Sequence, residues 1–299
     1  MHALSNSTPL TVGKLLGRTI GLYRTHSGIF LRTAAIFYVP VAALFFFFVE
    51  DNASEINFTL FVWPIEAFAS LSLIAHCVDL LHGRPLAIRT AVGRGLRRLP
   101  ADIGMMLATM AVFTSVALVW VIPIWVGLFN ADIPFAEIRY AFTDLVSRGD
   151  IAGISSLLGE FLWSGLGVCL TSVLILPVFL YLAARWLIAE VALMAEGTGP
   201  LQSLGRSWYL NRDLVLRAAG YLILLSIVTG LVAGLFSALV EYALLPLIPA
   251  VDQSWKTGFS YAASKLSSII TTPFYVSAIV LYYFDLRVRK EKYDFEVVQ

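Results

Sequence analysis

Glu66 stands two residues after Pro64 inside the apolar run 58–81. Eight residues from the start of that run, at 1.5 Å per residue, it lies about 12 Å into an apolar layer. A carboxyl group there is costly, and by default it marks a site that handles a proton or a substrate. The proline removes one backbone donor and frees a carbonyl nearby, which suits a polar cavity or a cation site. The competing reading is a hydrogen-bonded glutamate that locks neighbouring helices. Further along, "HCVDLLH" sets out His76, Asp79 and His82, which are ligand types for a metal. Their i, i+3, i+6 spacing spreads them around a helix instead of along one face, so the favoured roles are an ion pair for Asp79 and a helix end at His82 and Gly83. Asp79, Arg185, Glu190, Asp285 and Arg287 fall at corresponding ends of apolar runs and could form a ring of acids paired with arginines. Arg18, Arg94, Arg97, Arg98, Arg206 and Arg212 are the basic residues able to take a phosphate or an anionic lipid head group at the same level. No nucleophile elbow, phosphate-binding glycine loop or zinc spacing occurs, and no cofactor is expected.

The elements that must carry these residues follow from composition. Of 299 residues 59% are hydrophobic and 14% charged, well outside the range of soluble domains. The chain is expected to be an all-α membrane protein forming a single polytopic domain. A bilayer core takes about 20 apolar residues per helix, and six runs qualify, at 29–49, 58–81, 103–129, 162–188, 214–240 and 260–286. A net charge of +1 gives no basic face for nucleic acid. Cys77 and Cys169 lie in separate apolar runs and make a poor disulfide framework. The start "MHALSNSTPL" lacks the pattern of a cleavable signal, so insertion is expected to rely on the first span.

Six spans put both termini on one side. Of the 21 Lys and Arg residues, all but Arg139, Arg148, Lys256 and Lys265 fall on that side, and the positive-inside rule then makes it cytoplasmic. Spans one, three and five are each preceded by a basic amphipathic stretch. Val12, Leu15, Leu16, Ile20 and Tyr23 make the first apolar stripe; Ile88, Val92, Leu96 and Leu99 the second; Leu201, Leu204 and Trp208 the third. Each is expected to lie in the interface among anionic head groups. Pro64, Pro177 and Pro273 are each followed by an acid, Asp79, Glu190 and Asp285. The unit of interfacial helix plus hairpin thus recurs three times in parallel, over about 9–83, 84–199 and 200–287, with an outer-face amphipathic insertion at 131–161 and a cytoplasmic tail at 288–299. In the insertion, Phe135, Ile138, Phe142 and Leu145 form one stripe and Ile151, Ile154 and Leu158 another. Gly13, Gly17 and Gly21, and Gly230 and Gly234, recur every fourth residue, as in close helix packing within or between chains. Trp63, Trp120, Trp125, Trp163 and Tyr282 sit mostly near span ends, where aromatic anchors belong.

The stretch "LQSLGRSWYLNRDLVLRAAGYLILL", followed by a last span ending "LYYFDLRVRKE", resembles the bacterial six-helix membrane proteins grouped with the membrane domain of glycerophosphoryl diester phosphodiesterases. The matching residues are Leu204, Ser207 and Trp208, then Tyr282, Tyr283, Asp285, Leu286 and Arg287, with Phe284 inserted in the usual order. The resemblance is specific over about the last 110 residues and architectural before them. It implies a bacterial inner-membrane fold with six spans. It carries no catalytic residue, because the phosphodiesterase barrel of about 250 residues has no counterpart here.

These readings favour a non-catalytic module serving a transport, lipid or envelope system. Its expected partners are the bilayer, anionic phospholipids, and other membrane subunits or copies of itself. The alternative is a small transporter or lipid carrier working through Glu66. An intramembrane enzyme is the third, least supported by the residues present.

Overall fold

The computed structural model describes residues 10–48, 52–84, 87–130, 144, 148, 153, 175–244 and 253–293. The described secondary structure is entirely helical, with six helices long and apolar enough to cross a membrane. In chain order the elements are α1 (Val12–Phe48), α2 (Asn52–Leu81), α3 (Ile88–Asn130), α4 (175–186), α5 (Ala189–Glu196), α6 (Pro200–Leu210), α7 (Val215–Ala238), which continues as a π-helical turn over Leu239–Leu244, and α8 (Gln253–Glu291). Of the expected outer insertion only residues 144, 148 and 153 are described; its two apolar stripes lie outside the described residues.

Two compact units divide the chain, Met1–Met106 with Ala184–Gln299, and Leu107–Ala183. Within the second, Phe113 and Phe179 pack edge to face at 5.3 Å, and Asp144 pairs with Arg148 at 2.9 Å. All the site residues singled out above lie in the first.

The first unit is organised by the two ends of the chain. α1 and α8 pack against each other over much of their length: Tyr23 donates to the Ile270 carbonyl at 3.2 Å and sets its ring edge-on to Phe274, and Phe46 packs on Trp255 and Phe259. Gly258 is needed here, since a Cβ on it would stand 2.6 Å from the Phe46 carbonyl oxygen. The two helices run to 37 and 39 residues, about 55 to 60 Å, twice a hydrocarbon core. The basic stretch before span one is therefore continuous with the span, bent only at His26 (φ −117°, ψ 18°). Likewise, the stretch before span three runs straight into α3, which has 43 residues. Only before span five is the amphipathic stretch a separate helix, α6, ended at Asn211 before α7 begins.

One expectation, that of the glycine spacings, changes at this level. Along the start of α1 the enclosed residues are Leu15 and Thr19, while Ile20 is half exposed; Thr19 hides its hydroxyl by donating to the Leu15 carbonyl. The glycine spacings do not mark close approach within the chain: a Cβ on Gly13, Gly17, Gly21, Gly230 or Gly234 would meet nothing within 4 Å among the described residues. Close approach falls instead at Gly258 and at Gly95, where Ser72 Oγ stands 2.7 Å from the position a Cβ would take. Small residues permit contact; what faces them decides whether it occurs.

Candidate functional site

Span four is broken. Helix α4 stops at residue 186, residues 187–188 form a turn, and α5 starts at Ala189 behind a non-helical Ile188 (φ −107°, ψ 12°). A break in a span leaves backbone groups that need other partners. Ser207 of α6 supplies one, donating its hydroxyl to the Arg185 carbonyl at 2.7 Å. Arg185, 8% exposed, returns the contact through Nη1 to the Trp208 carbonyl at 3.3 Å and lays its guanidinium 4.4 Å from the Trp208 ring centre. Helix α5 ends at Gly197, whose φ of 68° lies in the left-handed region that glycine adopts without strain. Pro200 then opens α6, with Gln202 Oε1 accepting from the Gly199 amide.

The chain ends meet in a lattice of ion pairs. Asp285, 4% exposed, accepts from the Leu10 amide at 2.7 Å and from Arg289 Nε at 2.8 Å, and its Oδ2 lies 2.9 Å from Arg217 Nη1. Arg217 and Arg289 also both donate to the Leu10 carbonyl, at 2.7 and 2.6 Å. Beside it, Glu196 takes Arg206 Nε at 2.8 Å and the Tyr283 hydroxyl at 2.7 Å. Arg206 reaches on to Glu291, which also accepts from Arg287 at 2.9 Å, and Arg287 lies 3.9 Å from the ring centre of Tyr293. Tyr282 donates to Asn211 Oδ1 at 3.3 Å and stacks on Tyr221. Arg94 pairs with Asp79, and Lys290 with Asp213. Burial opposes the charge on Arg206, but hydrogen bonds and the charges of Glu196 and Glu291 outweigh it and hold the guanidinium above its ordinary pKa. The hydrogen bond and charge of Lys290 hold exposed Asp213 below the usual carboxylate range. Tyr282, Tyr283, Asp285, Arg287, Ser207 and Trp208, which the sequence sets apart, thus act together as one structural unit that knots the chain ends to the break in span four.

The basic residues expected at a head-group site are not gathered into one pocket. Arg206 is held by two acids and Arg94 by Asp79, while Arg98 turns to Gly197, 2.6 Å from where a Cβ on that glycine would stand. Arg18, Arg97 and Arg212 are exposed. Of the histidines, His82 sets Nδ1 2.6 Å from the Val78 carbonyl and its ring against Phe284, and His76 is buried. No group of three or more His, Cys, Asp or Glu among the described residues could hold a metal ion.

Glu66 has a partner that spacing along the chain could not reveal. Lys265, 199 residues away on α8, donates to Glu66 Oε1 at 2.8 Å and sits 4.7 Å from the centre of the Phe45 ring. The pair borders the cluster of Val41, Phe45 and Val62 with Phe58, Ile65 and Tyr261, towards the end remote from the termini.

Two further carboxyl groups, on Asp102 and Glu190, stand on α3 and α5 where these helices pack together in the first unit. Asp102 on α3 is 0% exposed, and neither of its oxygens has a hydrogen-bond partner among the described residues. The helices around it pack through Leu71, Met105, Ala189 and Leu193, with Leu99, Ala101 and Leu204 against them. Glu190, in the first turn of α5, is close enough for its charge to act on Asp102, on Tyr38 of α1 and on Tyr275 of α8. Sequence position alone puts Glu190 in the ring at the span ends; in the structure it sits six residues before Glu196 on the same helix, about 9 Å along its axis from that member of the ion-pair lattice. Asp102 escapes a reading of the sequence because it falls one residue before the expected start of span three, in "LPADIG". Its one sequence signal is an acid immediately before an apolar run. Comparison with known proteins finds no family model, no curated protein and no solved structure that matches this chain.

Proposed function

We propose that this chain is a non-catalytic module of a bacterial inner membrane, with both termini in the cytoplasm and three parallel repeats, serving a transport, lipid or envelope system as an accessory or scaffolding subunit. One observation carries the reading: the acids at the end where the termini meet are committed to the frame. Asp79, Glu196, Asp285 and Glu291 are each tied to at least one arginine, so the residues that looked chemically promising spend their charge holding helices together. The exposed Arg18, Arg97 and Arg212 are then the groups that bind anionic phospholipid. The similarity to the six-helix proteins of the phosphodiesterase membrane-domain group belongs to this proposal, and the residues behind it are structural ones. The carrier reading through Glu66 is weakened by Lys265, which gives that acid a fixed partner.

Native mass spectrometry of the protein, extracted gently from its own membrane, tests the proposal. The expected spectrum holds a stoichiometric second subunit and a retained anionic lipid, with the lipid lost from a variant carrying Arg18→Gln, Arg97→Gln and Arg212→Gln. A chain that emerges alone and free of lipid, together with solute flux in proteoliposomes abolished by Glu66→Gln, would replace it with the carrier reading.

A further inference from the structure

Asp102, which is fully enclosed, and Glu190, which is half-buried, have no place in the scaffold described above. An ionised carboxylate enclosed in apolar packing without a donor is so costly that it either stays protonated or holds a counter-ion. Asp102 meets that description, with complete enclosure and two oxygens that no described residue serves. A second carboxyl group on the helix packed against it sharpens the problem, since two like charges at close quarters cannot both persist unaided. Arg98, one turn before Asp102 on the same helix, is directed to Gly197 instead. Glu196, on the same helix as Glu190, is engaged by Arg206 and Tyr283.

The surrounding elements carry hydroxyl groups, and Asp102 has no basic hydrogen-bond partner among the described residues. α1 contributes Tyr38, which accepts a hydrogen bond from Thr272 of α8 at 3.1 Å, and α8 contributes Tyr275. From α2 the cluster takes Leu71, with Glu66 and His76 the nearest acidic and basic residues along that helix; from α6 it takes Leu204. Glu190 stands at the start of α5, where the break in span four interrupts the helical hydrogen bonding. Breaks of this kind inside a span are where membrane proteins build ion sites.

We infer that Asp102 and Glu190 form an intramembrane site for one monovalent cation, a proton or an alkali ion, bound between the two carboxyl groups. One positive charge matches the donor set: two carboxyl groups fall short of the six to eight oxygens calcium takes, or the octahedral shell of magnesium. This inference is independent of the lipid reading, which concerns arginines at the end of the unit.

Infrared difference spectroscopy on the full chain in zwitterionic nanodiscs tests it. At pH 7 the wild type is expected to show one protonated carboxyl per chain, absent from Asp102→Asn and shifted or absent in Glu190→Gln, each variant being checked for monodispersity. If the resident cation is a proton, the band stays when NaCl or KCl replaces choline chloride. If it is an alkali ion, the chosen salt removes the band or raises the melting temperature of the wild type, and the double variant Asp102→Asn/Glu190→Gln responds to neither. The inference is overturned if the wild type shows no protonated carboxyl at pH 7 and its melting temperature is the same in sodium, potassium and choline chlorides. Those wild-type measurements decide the matter even where a variant fails to fold.

Discussion

Asp285 and Asp102 are enclosed to almost the same degree, at 4% and 0% exposure, yet Asp285 is met by two arginines and a backbone amide while both oxygens of Asp102 have no partner. Burial alone therefore does not tell what an acid is for. A carboxylate whose lone pairs are all used is part of the frame, and its charge is needed in the folded state. One that is buried and unserved must find its neutralising charge outside the protein, and that is how a site differs from a strut.

The sharpest break in that comparison comes from removing each charge in turn. Asp285→Asn leaves Arg217 and Arg289 without their acid and is expected to cost about 3 to 5 kcal/mol, seen as a large fall in melting temperature in detergent or nanodiscs. Glu66 and Lys265 form an intermediate case, a single pair with both side chains still partly exposed. Removing one partner by Lys265→Met is expected to cost about 2 kcal/mol, less than for a fully enclosed pair. The double change Glu66→Gln/Lys265→Met recovers much of that loss, because two neutral side chains need no pairing. A double-mutant cycle in which the two losses simply add would show that the pair contributes nothing.

Much of this frame is legible in the sequence, and the reasons are physical. Six spans follow from apolar runs that a bilayer demands. The start of the first described helix lies by the end of the last, where the Leu10 amide donates to Asp285. Other features are hidden because they depend on partners distant in sequence. Nothing near Glu66 announces Lys265. Nothing near Ser207 announces a break twenty residues earlier, although its setting "GRSW" stands out through resemblance. Asp102 is the hardest to find, since its distinguishing property is the lack of a partner, and only packing can show that.

Ser207 gives a smaller test of the frame. Its hydroxyl serves one backbone carbonyl at the break, so Ser207→Ala is expected to cost about 1 to 2 kcal/mol by leaving a buried acceptor unmatched. Ser207→Thr, which keeps the hydroxyl, should recover part of it. Equal losses in both variants would point to packing instead of the hydrogen bond.

Asp102→Asn should stand at the opposite pole from Asp285→Asn. If the carboxyl pair carries a proton in the folded protein, an amide of the same shape replaces a group that is already neutral, and stability at pH 7 should move by less than about 1 kcal/mol. A loss as large as that of Asp285→Asn would mean that Asp102 is served by some group of the protein after all, and the contrast between the two acids would collapse.

The smallest effect belongs to Asp213, an exposed acid that shares with Asp285 only the property of being paired. Lys290 holds its carboxyl below the ordinary range, so the folded state binds that proton less readily than the unfolded chain. The stabilisation is therefore fully present above the unfolded value, near about 4, and is lost as pH falls through the lower folded one. Asp213→Asn should leave the melting temperature at pH 7 almost unchanged and remove only a slight acid sensitivity below about pH 4. The pair is exposed to water on the Asp213 side, so added salt should erase that sensitivity in the wild type. If Asp213→Asn instead destabilised the protein at neutral pH as Asp285→Asn does, pairing itself would be what counts at this end of the molecule, and enclosure would lose its standing as the property that separates one ion pair from another.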